Sequence, residues 1–127
     1  MRKSISTGSP MEKAAGYSRA VVQGDFCLVA GTTGYDYESM HMPRSVEEQT
    51  RNALATIEKT LQEAGFEMSD IVRVQYFITE PSDAGRVFPI VGEVFADIRP
   101  AATMLVTGLI RPEMRVEIEA TAMKAHP

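Results

Sequence analysis

Apolar residues recur along the chain in two rhythms, and the rhythms predict its elements. Val46, Ala53, Leu54, Ile57 and Leu61 fall at helical spacing. Ser45 with Glu48 forms a capping-box pattern before them and Gly65 a stop after them, so a helix is expected over about 46–64. From 71 to 79 the rhythm becomes alternation, with Val72, Val74, Tyr76 and Ile78 on one face of a half-buried strand. Residues 84–97 return to helical spacing, with Phe88, Val91, Val94 and Phe95 inward. Pro89 suits only a first helical turn, so the regular part is expected to begin near 88.

The flanking segments read as strands. Val21 and Val22 lead into the turn signal Gln23-Gly24-Asp25, and Phe26 to Ala30 is a short apolar run, so residues 17–33 read as a hairpin. Gly31-Thr32-Thr33-Gly34 marks a loop or a strand end, and residues 35–44 a polar surface connection. Two strands close the chain, over about 103–108 and 115–124. In the last, Val116, Ile118, Ala120 and Ala122 share one face, and Glu117, Glu119, Thr121 and Met123 share the other. The order is strand, strand, helix, strand, helix, strand, strand. Two helices on one face of a mixed sheet give a two-layer α/β sandwich. The uncovered face then calls for a partner, most simply copies of the chain in a closed ring.

Composition narrows the function. The 127 residues suit a single domain, 1–127. No apolar run approaches the roughly 20 residues of a membrane span, and no apolar stretch follows Arg2-Lys3, so a cytoplasmic protein without membrane association is expected. The net charge of −4 argues against a nucleic-acid partner, which calls for clustered Lys and Arg. Cys27 is the one cysteine and sits in an apolar run, which reads as a buried inert thiol. His41 and His126 share no metal-ligand spacing, so no metal site is expected. The scattered methionines suit packing rather than a cofactor site, and no cofactor is implied.

The stretch Arg99-Pro100-Ala101-Ala102-Thr103-Met104, with Glu117-Ile118-Glu119-Ala120 after it, resembles the C-terminal signature of the Rid/YjgF family, also called the endoribonuclease L-PSP family. Gly16-Tyr17-Ser18, Ala30-Gly31-Thr32 and Gln49 with Leu54 match further motifs of that family in order. The resemblance implies a chorismate-mutase-like fold, a homotrimer and small-molecule clefts between subunits. It also implies hydrolysis of enamines or imines to 2-keto acids and ammonia. That reaction needs a cation for the substrate carboxylate, a group that activates water and a wall that holds the reactive carbon.

On this resemblance Tyr17 is the cleft wall and Glu117 the catalytic group beside water. Ala30, Gly31, Thr32 and Glu119 line the ligand site with them. The like charges of Glu117 and Glu119 on one face would raise one carboxyl pKa, which suits acid–base work. The family's carboxylate-binding Arg is replaced by Ala102. Thr103 and Met104 stand at its Ser and Cys positions, and Phe88 where deaminases carry Asn. The changes make the cleft less polar and point to a changed ligand. Arg19, two residues beyond Tyr17, projects from the same face and is a candidate replacement cation, set against a solvated edge arginine. Arg99 and Arg111 rank lower, since neighbouring prolines place them in loops. The alternatives are a non-catalytic ligand-binding or regulatory module and, disfavoured by the acidic balance and the absence of a His pair, an RNA-cleaving protein.

Overall fold

The computed structural model describes residues 2–126. One six-stranded sheet is built from β1 (Arg2–Ile5), β2 (Ala20–Gln23), β3 (Phe26–Thr33), β4 (Ile71–Ile78), β5 (Ala101–Val106) and β6 (Val116–Met123), in the order β1-β2-β3-β6-β4-β5. Only β4 and β5 pair in parallel, across the helix that connects them. Helices α2 (Val46–Glu63) and α3 (Ala84–Val94) pack on one face, and a short α1 (Pro10–Ala15) precedes β2. This is the mixed two-layer α/β sandwich the pattern implies.

Helix α2 follows its sequence closely. The Ser45 hydroxyl accepts from the Glu48 amide, and Val46, Ala53, Leu54, Ile57 and Leu61 are buried. They meet Val116, Ile118, Ala120 and Ala122 of β6, which alternate inward as expected, and Val74, Tyr76 and Ile78 of β4.

Several expectations are corrected. Val72 is 48% exposed, because the β4–β6 register shifts between Ile71 and Arg73 and Ile71 takes the inward place. Helix α3 begins at Ala84, directly after a 3-10 turn at Pro81–Asp83, so Pro89 lies in its interior rather than its first turn. Val87, Val91 and Phe95 point inward, whereas Phe88 (57% exposed) and Val94 lie outside. The 35–44 connection is not wholly superficial, since Tyr35 is buried. Strand β5 starts two residues earlier than expected.

Two elements lack a counterpart in the pattern. Strand β1 carries one buried apolar residue, Ile5, and is held by its ladder to β2. Helix α1 is announced by local signals that the apolar rhythm misses: the Ser9 side chain caps the Glu12 amide, Pro10 opens the helix and Gly16 closes it at φ 72°.

Candidate functional site

Strands β3 and β6 bring the chemistry-bearing residues together. Their register shifts between Val29 and Thr32, and Glu117 pairs across from Thr33. A Cβ at residue 31 would lie 2.7 Å from Glu117 Oε2, so the carboxyl packs against bare backbone that glycine alone leaves open. Tyr17, Gly31, Thr33, Tyr37 and Glu117, closed by Met11, Ile110 and Met114, line a cavity of about 210 Å³. Burial pushes the Glu117 carboxyl above its ordinary pKa; the Arg19 charge opposes that rise and Glu119 adds to it.

Arg19 lies behind this cavity, not in it. It precedes β2 and is fully buried, so neither an edge arginine nor a ligand-facing cation describes it. Its Nη1 donates to the Gly31 carbonyl (2.8 Å) and to Thr32 Oγ1 (2.9 Å), and Nη2 donates to the Tyr17 hydroxyl (3.4 Å). The guanidinium lies 4.9 Å from the Tyr37 ring centroid and 5.7 Å from that of Tyr17. Its Nε, 3.9 Å from Glu12 Oε2, donates no hydrogen bond. Burial pushes Glu12 up, but hydrogen bonds from Thr7, Ser6 and Ser9 outweigh it and hold the carboxyl below its ordinary range. Glu12 is therefore a buried anion beside a buried cation.

The other candidates divide between places. Thr32 is buried, and its hydroxyl donates to the Ala30 carbonyl (2.8 Å). Ala30 and Glu119 border a separate hollow of about 520 Å³ on the uncovered sheet face, with Tyr17 at its rim. There the Gln75 amide, oriented to donate to Glu119, accepts from Arg73 (3.0 Å). Thr103 shares that face and accepts from Arg73 (3.1 Å). Ala102 and Met104 pair with Val74 and Tyr76 and so point to the helix side. Phe88 and Ala102, with Tyr76, Val91, Phe95 and Arg99, line an apolar cavity of about 300 Å³.

Glu117 and Ala102 thus point to opposite faces of one sheet, with β4 between their strands. A single chain keeps its polar cavity and its apolar cavity apart. Tyr37, which binds the Thr33 amide (3.0 Å) and faces Arg19, sits in a polar loop without a sequence signal. Gln49 of the helix motif is structural: it donates to the Pro43 and Glu113 carbonyls and accepts from the Arg115 amide. Among the described residues no group of three or more His, Cys, Asp or Glu could hold a metal ion, and no helix is long and apolar enough to cross a membrane.

The family model described as endoribonuclease L-PSP matches residues 7–124. The chain belongs to this family, the Rid/YjgF family. Among similar proteins, a Streptomyces coelicolor protein named SCO2049 is 31% identical over 121 residues, covering 94% of this chain and 90% of the relative. A Rattus norvegicus protein named 2-iminobutanoate/2-iminopropanoate deaminase is 29% identical over 125 residues, covering 98% and 91%. The crystal structure of Rv2704 from Mycobacterium tuberculosis, a member of the YjgF/YER057c/UK114 family, superposes with a TM-score of 0.89 at 41% identity, covering 98% of this chain and all of that one. The Rid/YjgF assignment accounts for the fold. It leaves the ligand and the chemistry to be argued from the two half-sites.

Proposed function

We propose that this Rid/YjgF member is a homotrimer that binds a small imine, enamine or keto acid in clefts shared between subunits and hydrolyses the imine. The observation that carries this reading is the opposition of the half-sites. Tyr17, Gly31 and Glu117 open on one face, and Phe88, Ala102 and Met104 on the other, so a cleft holding both sets needs two copies. The uncovered sheet face, with Phe26, Leu28 and Met123 exposed, supplies apolar surface for such an assembly. The likeness to the rat deaminase supports the imine class.

In this reading Glu117 is the proton-transfer group. A carboxyl of raised pKa can accept a proton near neutrality and return it. Water adds through oxygen to the imine carbon as its proton passes to Glu117. The proton then moves to nitrogen, the carbon–nitrogen bond breaks, and ammonia leaves as the added hydroxyl gives its proton back to Glu117 and the carbonyl forms. The Tyr17 ring walls the site, and Arg19 holds the Tyr17 hydroxyl and the Gly31 carbonyl in place. Ala102 gives no grip on a carboxylate at the family's usual position.

The test is ammonia release from freshly generated 2-iminopropionate, comparing the parent with Glu117→Gln. Turnover by the parent that falls about 100-fold or more in the variant supports the assignment. Equal rates remove Glu117 from the chemistry. Binding without turnover makes the protein a ligand-binding module on the same scaffold.

A further inference from the structure

Resting on the reaction proposed above, we propose that Glu12 is a positioning residue for it, which acts through Arg19 to fix the Tyr17 hydroxyl and the Gly31 backbone on which the Glu117 carboxyl packs. Glu12 lies on α1 and is only 5% exposed. Its carboxylate accepts from the hydroxyls of Ser6 (2.9 Å), Ser9 (3.1 Å) and Thr7 and from the Thr7 amide (3.3 Å). It stands three residues after the N-cap Ser9, where a capping-box glutamate would accept from the Ser9 amide. Instead the carboxylate turns inward, with Oε2 3.9 Å from Arg19 Nε. Capping a helix of six residues needs no buried anion, whereas a buried cation does.

Arg19 carries the effect to the site. Its Nη1 and Nη2 are committed to the Gly31 carbonyl (2.8 Å), Thr32 Oγ1 (2.9 Å) and the Tyr17 hydroxyl (3.4 Å). Nε, which faces Glu12, is the buried side-chain polar atom left without a hydrogen bond among the described residues. Glu12 therefore holds the guanidinium by charge alone, and a charge that is lost or withdrawn lets Nη1 and Nη2 drift from Gly31 and Tyr17. Tyr17, Gly31 and Tyr37, whose ring centroid lies 4.9 Å from the guanidinium, line the cavity of Glu117, and Met11 beside Glu12 lines it too. Neither Glu12 nor Arg19 lines it, so both act through other residues. The pair also sets the field at Glu117. The charged groups that face Glu117 are Arg19, from the segment before β2, and Glu119 on β6 itself. Tyr17 and Tyr37 are the other titratable groups of its cavity, and β3 and β4 present Thr33 and Phe77 across from it. A lone Arg19 cation would favour the Glu117 carboxylate; the Glu12 anion offsets it, and burial then keeps the carboxyl raised.

Ammonia release from 2-iminopropionate, followed against pH in the intact oligomer, tests this. In the proposed reaction Glu117 must be ionised to take the proton of water, so turnover rises with pH and its acidic limb reports Glu117. Glu12→Gln removes a negative charge and unbalances Arg19. The limb should move to lower pH by about half a unit or more, and kcat on the plateau should fall about tenfold. Glu12→Asp keeps the charge but withdraws it by one methylene, so the limb should stay in place while kcat falls about threefold or more. A folding defect lowers the amount of active protein without moving the limb, so it cannot mimic the glutamine result. A limb that stays in place in folded Glu12→Gln makes Glu12 a purely structural counter-ion and overturns the assignment, while the reaction stands. If Glu12→Gln does not fold, Glu12→Asp decides, and parental kcat there overturns the assignment. A parent without turnover removes the reaction and this assignment with it.

Discussion

The two half-sites are built by different means. The polar one is a buried network in which Arg19 ties the Gly31 carbonyl, Thr32 and Tyr17 together and faces Glu12. The apolar one is an edge: β5 has a single neighbouring strand, and Phe88, Leu105 and Val106 are exposed beside it. The first must be complete before the chain is stable, whereas the second can vary at little cost to the fold. Under the proposed function, ligand identity would therefore be free to change at the β5 edge while the end that holds Glu117 stays fixed.

The sharpest way to break this contrast is Arg19→Ala. It strands the Glu12 carboxylate and leaves buried acceptors empty, so it should cost about 3–5 kcal/mol in urea unfolding. A loss below about 1 kcal/mol would make Arg19 a bystander. Two glycines give the next effect. At Gly34 a Cβ would lie 2.5 Å from the Gln49 Cα, so Gly34→Ala should destabilise by about 2 kcal/mol or more. At Gly31 the clash is with the movable end of Glu117, so Gly31→Ala should cost under about 1 kcal/mol while displacing the carboxyl and lowering turnover.

Glu117→Gln sharpens the electrostatic side. The folded-state pKa of Glu117 is raised, so over the window above the ordinary glutamate value the folded chain holds a proton that the unfolded chain releases. Stability falls as pH climbs through that window and stays lower above it. The glutamine variant lacks this loss. It should melt higher than the parent at neutral pH, and its advantage should shrink as pH drops below the ordinary glutamate range. Thermal melts across pH check this; an advantage that grows on acidification contradicts it. The smallest stability effect belongs to Ala102→Arg at the exposed edge, expected within about 0.5 kcal/mol. It should raise imine turnover about tenfold or more by adding a carboxylate fork. No gain would show that the missing fork at residue 102 does not limit turnover.

Legibility in the sequence followed burial rhythm. Helix α2 and strand β6 were readable because each buries one regular face. Helix α3 was misphased because Phe88 and Val94 are apolar residues left outside, and apolar rhythm alone cannot separate a core face from an open edge. Val72 failed because a register shift breaks the period of two. At the site, motif resemblance located Tyr17, Gly31 and Glu117, which meet in one cavity. It could not place Arg19, whose burial depends on Glu12 and Tyr37 from elements without an apolar rhythm. Nor could it separate Glu117 from Glu119, since a shared strand face does not mean a shared cavity.

The central claim is that the two half-sites meet only between copies, in a closed ring of three. A double variant, Tyr17→Cys with Phe88→Cys, tests it when treated with a short flexible bis-maleimide; Cys27 is buried and should stay unreactive. The account predicts covalent links between chains, seen on a denaturing gel as a ladder that stops at three, with neither single variant giving it. Links confined within one chain, or no links in protein that remains folded, would contradict it.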